Sequence, residues 1–153
     1  MDLLLLRHAD ALNHAATDLA RPLSERGHRQ AAAVANALAD SDAKPKLILS
    51  SPAVRTMETA AAVAKALQLE VTPCPWAAPG MSPADARAEL KKYASFGRVL
   101  LVGHQPDLSV LAAGLLGMDD DLRLNVTKAS LMHLHLDSPH SAELISFVPC
   151  NIA

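Results

Sequence analysis

The sequence predicts an α/β protein, a three-layer α/β/α sandwich built on a mostly parallel central sheet. Three apolar runs, at residues 3–6, 47–49 and 99–102, are too short for helices and are typical of strands buried on both faces. The stretches between them carry apolar residues at the three- and four-residue spacing of an amphipathic helix. This alternation of strand and helix favours parallel strands covered by helices on both sides.

The first half of the chain predicts two strand–helix units. After the strand at 3–6, Ser24 is expected to cap a helix. The apolar face of that helix is formed by Ala31, Val34, Ala35 and Leu38. After the strand at 47–49, Ser51 and Pro52 are interpreted as a cap and a proline at the first helical position. The apolar face of this second helix is formed by Ala60, Val63, Ala64 and Leu67.

The second half predicts shorter and more varied elements. A weaker strand is expected near Val71, then a loop at 74–80 and a helix from about Pro83 to Tyr93. Pro106 is interpreted, like Pro52, as the first residue of the helix that follows the strand at 99–102. The apolar face of that helix is formed by Leu108, Leu111, Ala112 and Leu115.

Towards the end of the chain, the alternation of predicted strands and helices stops. A loop is expected at 119–121. Alternation at 131–136 and the stretch 143–148 then predict one or two later strands, at least one of them antiparallel at an edge of the sheet.

The composition narrows the function classes. With 153 residues, half of them apolar, the chain predicts one domain, 1–153, that needs no disulfide or metal to hold its core. A formal net charge of −2 argues against a nucleic-acid binder or a protein held to a membrane by charge. No apolar run approaches a membrane span, and the run at 3–6 is too short for a signal peptide.

The two cysteines bear on the compartment. Cys74 and Cys150 form no CxxC pair and are interpreted as free thiols, with a single disulfide as the alternative. We therefore expect a cytoplasmic protein, and we expect it to be a monomer.

Cationic and imidazole side chains follow three of the predicted strands. Arg7 and His8 follow the first strand, Arg55 lies shortly after the second, and His104 follows the strand at 99–102. Ligands of open α/β sheets bind beyond the carboxyl ends of the strands, so these side chains are expected at one edge. The paired N–H donors of arginine and the free backbone N–H groups at helix N-termini are well placed to bind phosphoryl oxygens. The chain has neither a GxGxxG nor a Walker A loop, which argues against a nucleotide held in those ways.

Four ordered motifs resemble those of one family. Arg7-His8-Ala9 resembles the RHG signature of the histidine phosphatase superfamily, also called phosphoglycerate mutase-like. The other three matching elements are Leu23-Ser24-Glu25-Arg26-Gly27 with Gln30-Ala31, Ser50-Ser51-Pro52 with Arg55-Thr56 and Thr59-Ala60, and Gly103-His104. The short length, Arg21-Pro22-Leu23 and the ending Pro149-Cys150-Asn151-Ile152 resemble the SixA branch of small protein-phosphohistidine phosphatases.

The resemblance implies a histidine-phosphatase-like fold and a role for each matching residue. His8 would be the nucleophile and would become transiently phosphorylated. Arg7, Arg55 and His104 would hold the phosphoryl oxygens, and Arg21 would line the entrance. Metals and other cofactors are not expected, because the arginines supply the positive charge that a metal would supply elsewhere.

Several nearby residues are open to more than one interpretation. Asp10 is expected either to contact substrate or to orient Arg7, and Asp18 is interpreted as a loop residue. Arg55 is expected to be exposed on the first turn of its helix. His133 and His135 have the spacing of a metal pair, but a solvated strand face is favoured because no third ligand is evident.

The sequence departs from the family's pattern at two points. Ala9 replaces the glycine of the signature, which matters if the backbone there requires positive φ. The loop at 74–80, where many members place an acidic proton donor, has Trp76 and no Asp or Glu. An alkoxide needs a proton as it leaves, whereas an imidazole, with a pKa of about 6.5, can leave as a neutral ring. The missing acid therefore favours phosphohistidine, or an acyl phosphate, over a sugar phosphate.

These observations predict hydrolysis of phosphohistidine on a signalling or phosphocarrier protein through a covalent intermediate on His8. The expected partner is a phosphotransfer domain or a phosphocarrier. Two alternatives remain at this point: a small-molecule phosphomonoesterase of the same superfamily, and a phosphoprotein-binding module that has lost turnover.

Overall fold

The structure is a computed structural model, and it describes residues 1–120, 123–138 and 140–151. Two predictions extend beyond these ranges. Asp121, in the loop expected at 119–121, and Ile152, in the C-terminal motif, lie outside the described residues. Elsewhere the chain forms one mixed sheet with helices on both faces, which confirms the predicted three-layer architecture.

Within the described residues, six strands form the sheet. They are β1 (Asp2–Arg7), β2 (Leu47–Ser50), β3 (Val71–Pro73), β4 (Arg98–Gly103), β5 (Leu131–Ser138) and β6 (Ser141–Val148). Their order is β3-β2-β4-β1-β5-β6. The first four strands in this order run parallel, and β5 and β6 are antiparallel. The prediction of a mostly parallel sheet with an antiparallel edge is confirmed, and both late strands are antiparallel.

In the part of the chain that the structure describes, four α-helices cover the two faces of this sheet. They are α1 (Glu25–Asp40), α2 (Val54–Leu67), α3 (Pro83–Lys91) and α4 (Asp107–Leu115). Leu4 and Leu6 of β1 pack against α1 and α2, whereas Leu3 and Leu5 pack against α3 and α4. All four leucines are fully buried. Because each such burial contributes roughly 1.5–3 kcal/mol, β1 is a rigid base for the residues that follow it.

The helix starts agree only in part with the predictions. Ser24 caps α1 as predicted, since its hydroxyl accepts the Gly27 N–H at 3.0 Å. The predicted cap at Ser51 is wrong: α2 begins two residues later, with Ala53 at its cap position. The hydroxyl of Ser51 lies 2.7 Å from a ring nitrogen of His104 instead. Pro106 occupies the cap position of α4 rather than its first helical position.

The remaining elements follow the predicted pattern. β3 is a three-residue strand at the edge of the sheet, and α3 ends two residues before Tyr93. The loop at 74–80 contains one short 3-10 turn, Pro75–Ala77. Cys74 and Cys150 are both free thiols. Among the described residues, none of the helices has the length and apolar character that crossing a membrane requires.

Candidate active site

The carboxyl ends of β1, β2 and β4 bring the predicted arginines and histidines together into one site. Arg7 is the last residue of β1, His8 follows it, Arg55 lies in the first turn of α2, and His104 follows β4. The ring centroids of the two histidines lie 5.5 Å apart. Nη2 of Arg55 lies 3.3 Å from Nδ1 of His104. The elements of the fold therefore converge where the sequence predicts.

His8 is held in a single tautomer. Its Nδ1 lies 2.7 Å from the carbonyl oxygen of Ala9. Because a carbonyl can only accept, Nδ1 carries the proton and Nε2 keeps its lone pair. Burial lowers the pKa of His8 to about 4, and the charges of Arg55 and Arg7 act in the same direction against the opposing bond to Ala9. The imidazole is therefore neutral at physiological pH and can act as a nucleophile.

Ala9 fits the position where the family's signature has glycine. It is fully buried, and its N–H donates to the Thr59 hydroxyl at 3.1 Å. Among the described residues, the non-glycine positions with positive φ are Gln68 and Ala129. The backbone at residue 9 thus needs no glycine, and the methyl group packs in the core beside α1 and α2.

Arg55 is buried, which corrects the expectation of an exposed side chain. The residue is 4% exposed. Its Nη1 donates to the backbone oxygen of Asp18 at 2.9 Å, and its Nη2 donates to Oδ2 of the same residue at 3.1 Å. The prediction failed because α2 starts beneath the segment that carries Asp18, and this segment covers the guanidinium.

His104 is fixed by hydrogen bonds to both ring nitrogens. Because arginine only donates, Nδ1 of His104 accepts from Arg55, and Nε2 carries the proton toward the Ser51 hydroxyl at 2.7 Å. Burial lowers the pKa of His104 to about 3, assisted by the charges of Arg55 and His8. Ser51 therefore holds the second imidazole in place, a role that the sequence did not suggest.

Arg7 is half-buried beside the same site and lines an open cavity together with Asp10 and Lys128. Its Nη1 donates to the backbone oxygen of Val126 at 3.0 Å. Its charge lowers the pKa of both His8 and His104, which places it within electrostatic reach of the two rings. Arg7 can therefore face a phosphoryl group bound between them.

Asp10 does not orient Arg7, so that alternative is wrong. Its carboxylate accepts from the Ser24 hydroxyl at 2.6 Å and from Nζ of Lys128 at 2.7 Å. The charge of Lys128 also reaches His8. Sequence analysis missed Lys128, and no local signal could have found it, because it lies 118 residues from its partner in a loop without periodicity. Contact between Asp10 and substrate stays a prediction.

Arg21 is connected to the site by Asp18, which contacts both Arg21 and Arg55. Nε of Arg21 lies 3.2 Å from Oδ1 of Asp18, whose other carboxylate oxygen faces Arg55. Asp18 was interpreted as a loop residue, and the structure instead places it between the two arginines. Its spacing of three residues from Arg21 was the one signal available in the sequence.

Neither carboxylate beside the pocket is suited to donate a proton. The bond from Lys128, aided by that from Ser24, lowers the pKa of Asp10. Partial burial alone would raise the pKa of Asp18, but the hydrogen bond from Arg55 and its charge outweigh it and lower that pKa. Trp76, in the loop where relatives place an acid, is half-buried against the core. The site thus concentrates cations, and of the described residues neither Asp10 nor Asp18 is a ready general acid.

The two histidines on β5, His133 and His135, lie near the amino-terminal end of β1, away from the site. His135 contacts the Asp2 carboxylate at 2.8 Å, and His133 lies 3.5 Å from it. The predicted solvated face is therefore partly a polar cluster around Asp2, because β5 runs antiparallel to β1 and its histidines meet the first residue of that strand. Within the described ranges, no three His, Cys, Asp or Glu side chains are grouped so that they could hold a metal ion.

Comparisons with known proteins agree with this geometry. The family model of the histidine phosphatase superfamily, branch 1, matches residues 3–76. A protein of Picosynechococcus sp. (strain ATCC 27264 / PCC 7002 / PR-6), itself named as uncharacterized, is 32% identical over 142 residues, which span 88% of this chain and 84% of the relative.

Solved structures match along the whole chain. A structure of the protein histidine phosphatase SixA complexed with tungstate superposes with a TM-score of 0.90 at 26% identity, covering 100% of both chains. The α-ribazole phosphatase from Shigella flexneri gives a TM-score of 0.80 at 23% identity over 100% of this chain and 98% of its own, and shares the fold alone. The chain therefore belongs to the histidine phosphatase superfamily, a family of phosphatases, and within it to the SixA-like branch.

Proposed function

We propose that this protein hydrolyses phosphohistidine on another protein through a covalent intermediate on His8. The observation that carries the proposal is the tautomer of His8, with Nδ1–H bonded to the Ala9 carbonyl and a bare Nε2 among cations. The partner would be a phosphotransfer domain or a phosphocarrier protein.

The first step is phosphoryl exchange between two imidazoles. Nε2 of His8 attacks phosphorus, and the bond from phosphorus to the substrate's ring nitrogen breaks in line. If the substrate ring carries a proton on its other nitrogen, it leaves as neutral imidazole. His8 then becomes the phosphorylated ring, with its proton still on Nδ1 and bonded to Ala9. Protons balance without a general acid, which matches a pocket whose carboxylates are ionised.

The second step returns the enzyme to its starting state. Water attacks phosphorus, the Nε2–P bond breaks, and His8 leaves as the neutral Nδ1–H tautomer with inorganic phosphate as the other product. The hydrogen bond from Nδ1 to Ala9 keeps the leaving ring protonated in both directions.

Charge stabilisation comes from the arginines around the two rings. Arg55, nearly fully buried, and the half-buried Arg7 can both face the transferring oxygens. Buried, preorganised donors of this kind are worth more than the same donors in water, because they need no reorganisation during the reaction. If a bound dianion draws the Arg55 guanidinium away from Nδ1 of His104 and favours protonation of that nitrogen, His104 can donate from Nδ1 to a phosphoryl oxygen.

A substrate panel tests the proposal. The wild-type protein is assayed on a histidine-phosphorylated phosphocarrier, on phosphoimidazole, on 4-nitrophenyl phosphate and on a sugar phosphate. We expect kcat/KM for the two phosphoramidates to exceed that for the sugar phosphate by at least about 10³-fold, since general acid catalysis of a basic leaving group supplies 10²–10⁴.

Two results would contradict the proposal in different ways. Equal rates on the sugar phosphate would indicate a small-molecule phosphomonoesterase with a proton donor that the geometry does not reveal. Binding of the phosphorylated carrier without hydrolysis of any panel member would indicate a phosphoprotein-binding module.

A further inference from the structure

The carboxylate of Asp18 lies against two arginines, Arg55 and Arg21, as the only one of the three side chains that carries a negative charge. It lies on a single 3-10 turn, Asp18–Ala20, and its side chain is 62% exposed. Its Oδ2 lies 3.1 Å from Nη2 of Arg55, and its Oδ1 lies 3.2 Å from Nε of Arg21. The carboxylate thus presents one oxygen to each arginine, as a bound phosphoryl group would.

The two partners differ in how firmly they are held. Arg55 is buried, and its Nη2 also lies against Nδ1 of His104. Asp18 belongs to a segment, 12–20, whose side chains are exposed throughout. When an anion enters, Asp18 is therefore the group that must move, and its charge then stands at the solvent side of the phosphoryl group. There it repels negative substituents and attracts positive ones.

We propose that Asp18 is a specificity-determining residue, a charge filter that weakens binding of simple phosphate anions and favours a phosphoryl group carried on a protonated imidazole. The ring nitrogen that does not carry the phosphoryl group can donate its N–H to the displaced carboxylate. This proposal rests on the proposed function, because it assigns that N–H to phosphohistidine.

Asp18→Asn tests the filter, because the amide keeps an oxygen that accepts from Arg55 but removes the charge. A charge-assisted bond to Arg55 is harder for an anion to displace than a neutral one. By titration calorimetry at low salt, we expect inorganic phosphate and tungstate to bind Asp18→Asn about tenfold more tightly than wild type, a change of about 1.4 kcal/mol.

Kinetics supply a second readout that a structural role would not give. In Asp18→Asn, kcat/KM should rise for 4-nitrophenyl phosphate and fall for phosphohistidine, and their ratio should shift about tenfold or more. Asp18→Glu, which restores the charge, should keep the wild-type ratio within about threefold. Asp42→Asn is the matched control: it removes the same charge from an exposed loop that leads into β2 at the opposite edge. It should change neither measurement.

These measurements test the role of Asp18 separately from the proposed hydrolysis of phosphohistidine. Weaker phosphate binding by Asp18→Asn would overturn the filter and show that Asp18 serves to position Arg55. An unchanged substrate ratio would overturn it as well. If phosphate binding tightens but wild type does not hydrolyse phosphohistidine, the filter against simple anions stands, while the proposed function and the imidazole contact fail.

Discussion

Charged and imidazole side chains are clustered at both ends of the parallel strands, which we call the amino-terminal and the carboxyl-terminal edge. The two clusters differ in how completely their polar groups are hydrogen-bonded. At the amino-terminal edge, the Asp2 carboxylate accepts from Arg98 at 3.0 Å and from His135 at 2.8 Å. At the carboxyl-terminal edge, Nε2 of His8 has no hydrogen-bond partner among the described residues. Arg55 is bonded there to an exposed aspartate, Asp18, and to Nδ1 of His104.

The difference shows which cluster stabilises the fold and which is prepared for a ligand. The amino-terminal edge ties the starts of β1 and β4 to the second half of the antiparallel strand β5, because Asp2 is bonded to Arg98 and His135. The carboxyl-terminal edge keeps two imidazoles neutral by burial among cations. Neutral rings beside incompletely satisfied arginines cost stability, and a phosphoryl dianion would satisfy them.

The largest expected effect is at His8. His8→Ala removes the attacking nitrogen, so turnover on phosphohistidine should fall by at least about 10⁴-fold, as it does when an enzyme loses its nucleophile. Acid-quenched turnover of wild type should trap an acid-labile, base-stable phosphoprotein, and His8→Ala should trap none. Rapid quench with radiolabelled substrate measures both.

A matched substitution checks that this loss is specific. His140→Ala removes an exposed histidine from the turn between β5 and β6 and should keep both turnover and the trapped intermediate. A label found on serine, or wild-type turnover by His8→Ala, would sink the covalent mechanism. The polar cluster around His8 would then no longer be identified as the catalytic one.

The next largest effect is at Arg55. Arg55→Ala should lower kcat/KM by about 10²–10³-fold, roughly 3–4 kcal/mol, because a preorganised donor to the transferring oxygens is lost. Arg55→Lys keeps the charge but loses the fork that faces Asp18 and His104, and it should recover only part of the rate. Steady-state kinetics, with chemical denaturation to show that both variants fold, measures this. A loss below about threefold would remove Arg55 from the site.

The sequence predicted the fold well because burial on both faces leaves a clear pattern. The apolar runs at 3–6, 47–49 and 99–102 each became a parallel strand, and the helix faces between them are buried. Placement of Arg7 and His8 at one edge followed from the same rule, since parallel strands end together.

The parts that the sequence did not predict depend on contacts between distant segments. Asp18 covers Arg55 from a segment with no periodicity, and Lys128 pairs with Asp10 across 118 residues. The cap of α2 was misplaced for a related reason. The local pattern suggested a serine cap, but the Ser51 hydroxyl bonds to His104, 53 residues away.

The smallest effect is expected at the amino-terminal edge. Partial burial alone would raise the pKa of Asp2, but hydrogen bonds from His135 and Arg98 outweigh it and lower the pKa to about 2. Asp2→Asn should therefore reduce the free energy of unfolding at pH 7 by about 1–2 kcal/mol, less than the full linkage value because the carboxylate is partly solvated. Its kcat/KM should stay within about twofold of wild type. Urea denaturation and steady-state kinetics measure these two effects.

The pH dependence of this loss identifies its cause. The folded pKa of Asp2 lies below the unfolded value of about 3.9, so the stabilisation is present above pH 4 and is lost as the pH falls toward 2. Wild type and Asp2→Asn should thus differ in stability at pH 5–7 and converge near pH 2. A difference that persists unchanged at pH 2 would mean that the carboxylate's charge is not what holds this edge together. A tenfold loss of kcat/KM in Asp2→Asn would show that the two edges are coupled. That result would contradict the assignment of stability to the amino-terminal edge and of catalysis to the carboxyl-terminal edge.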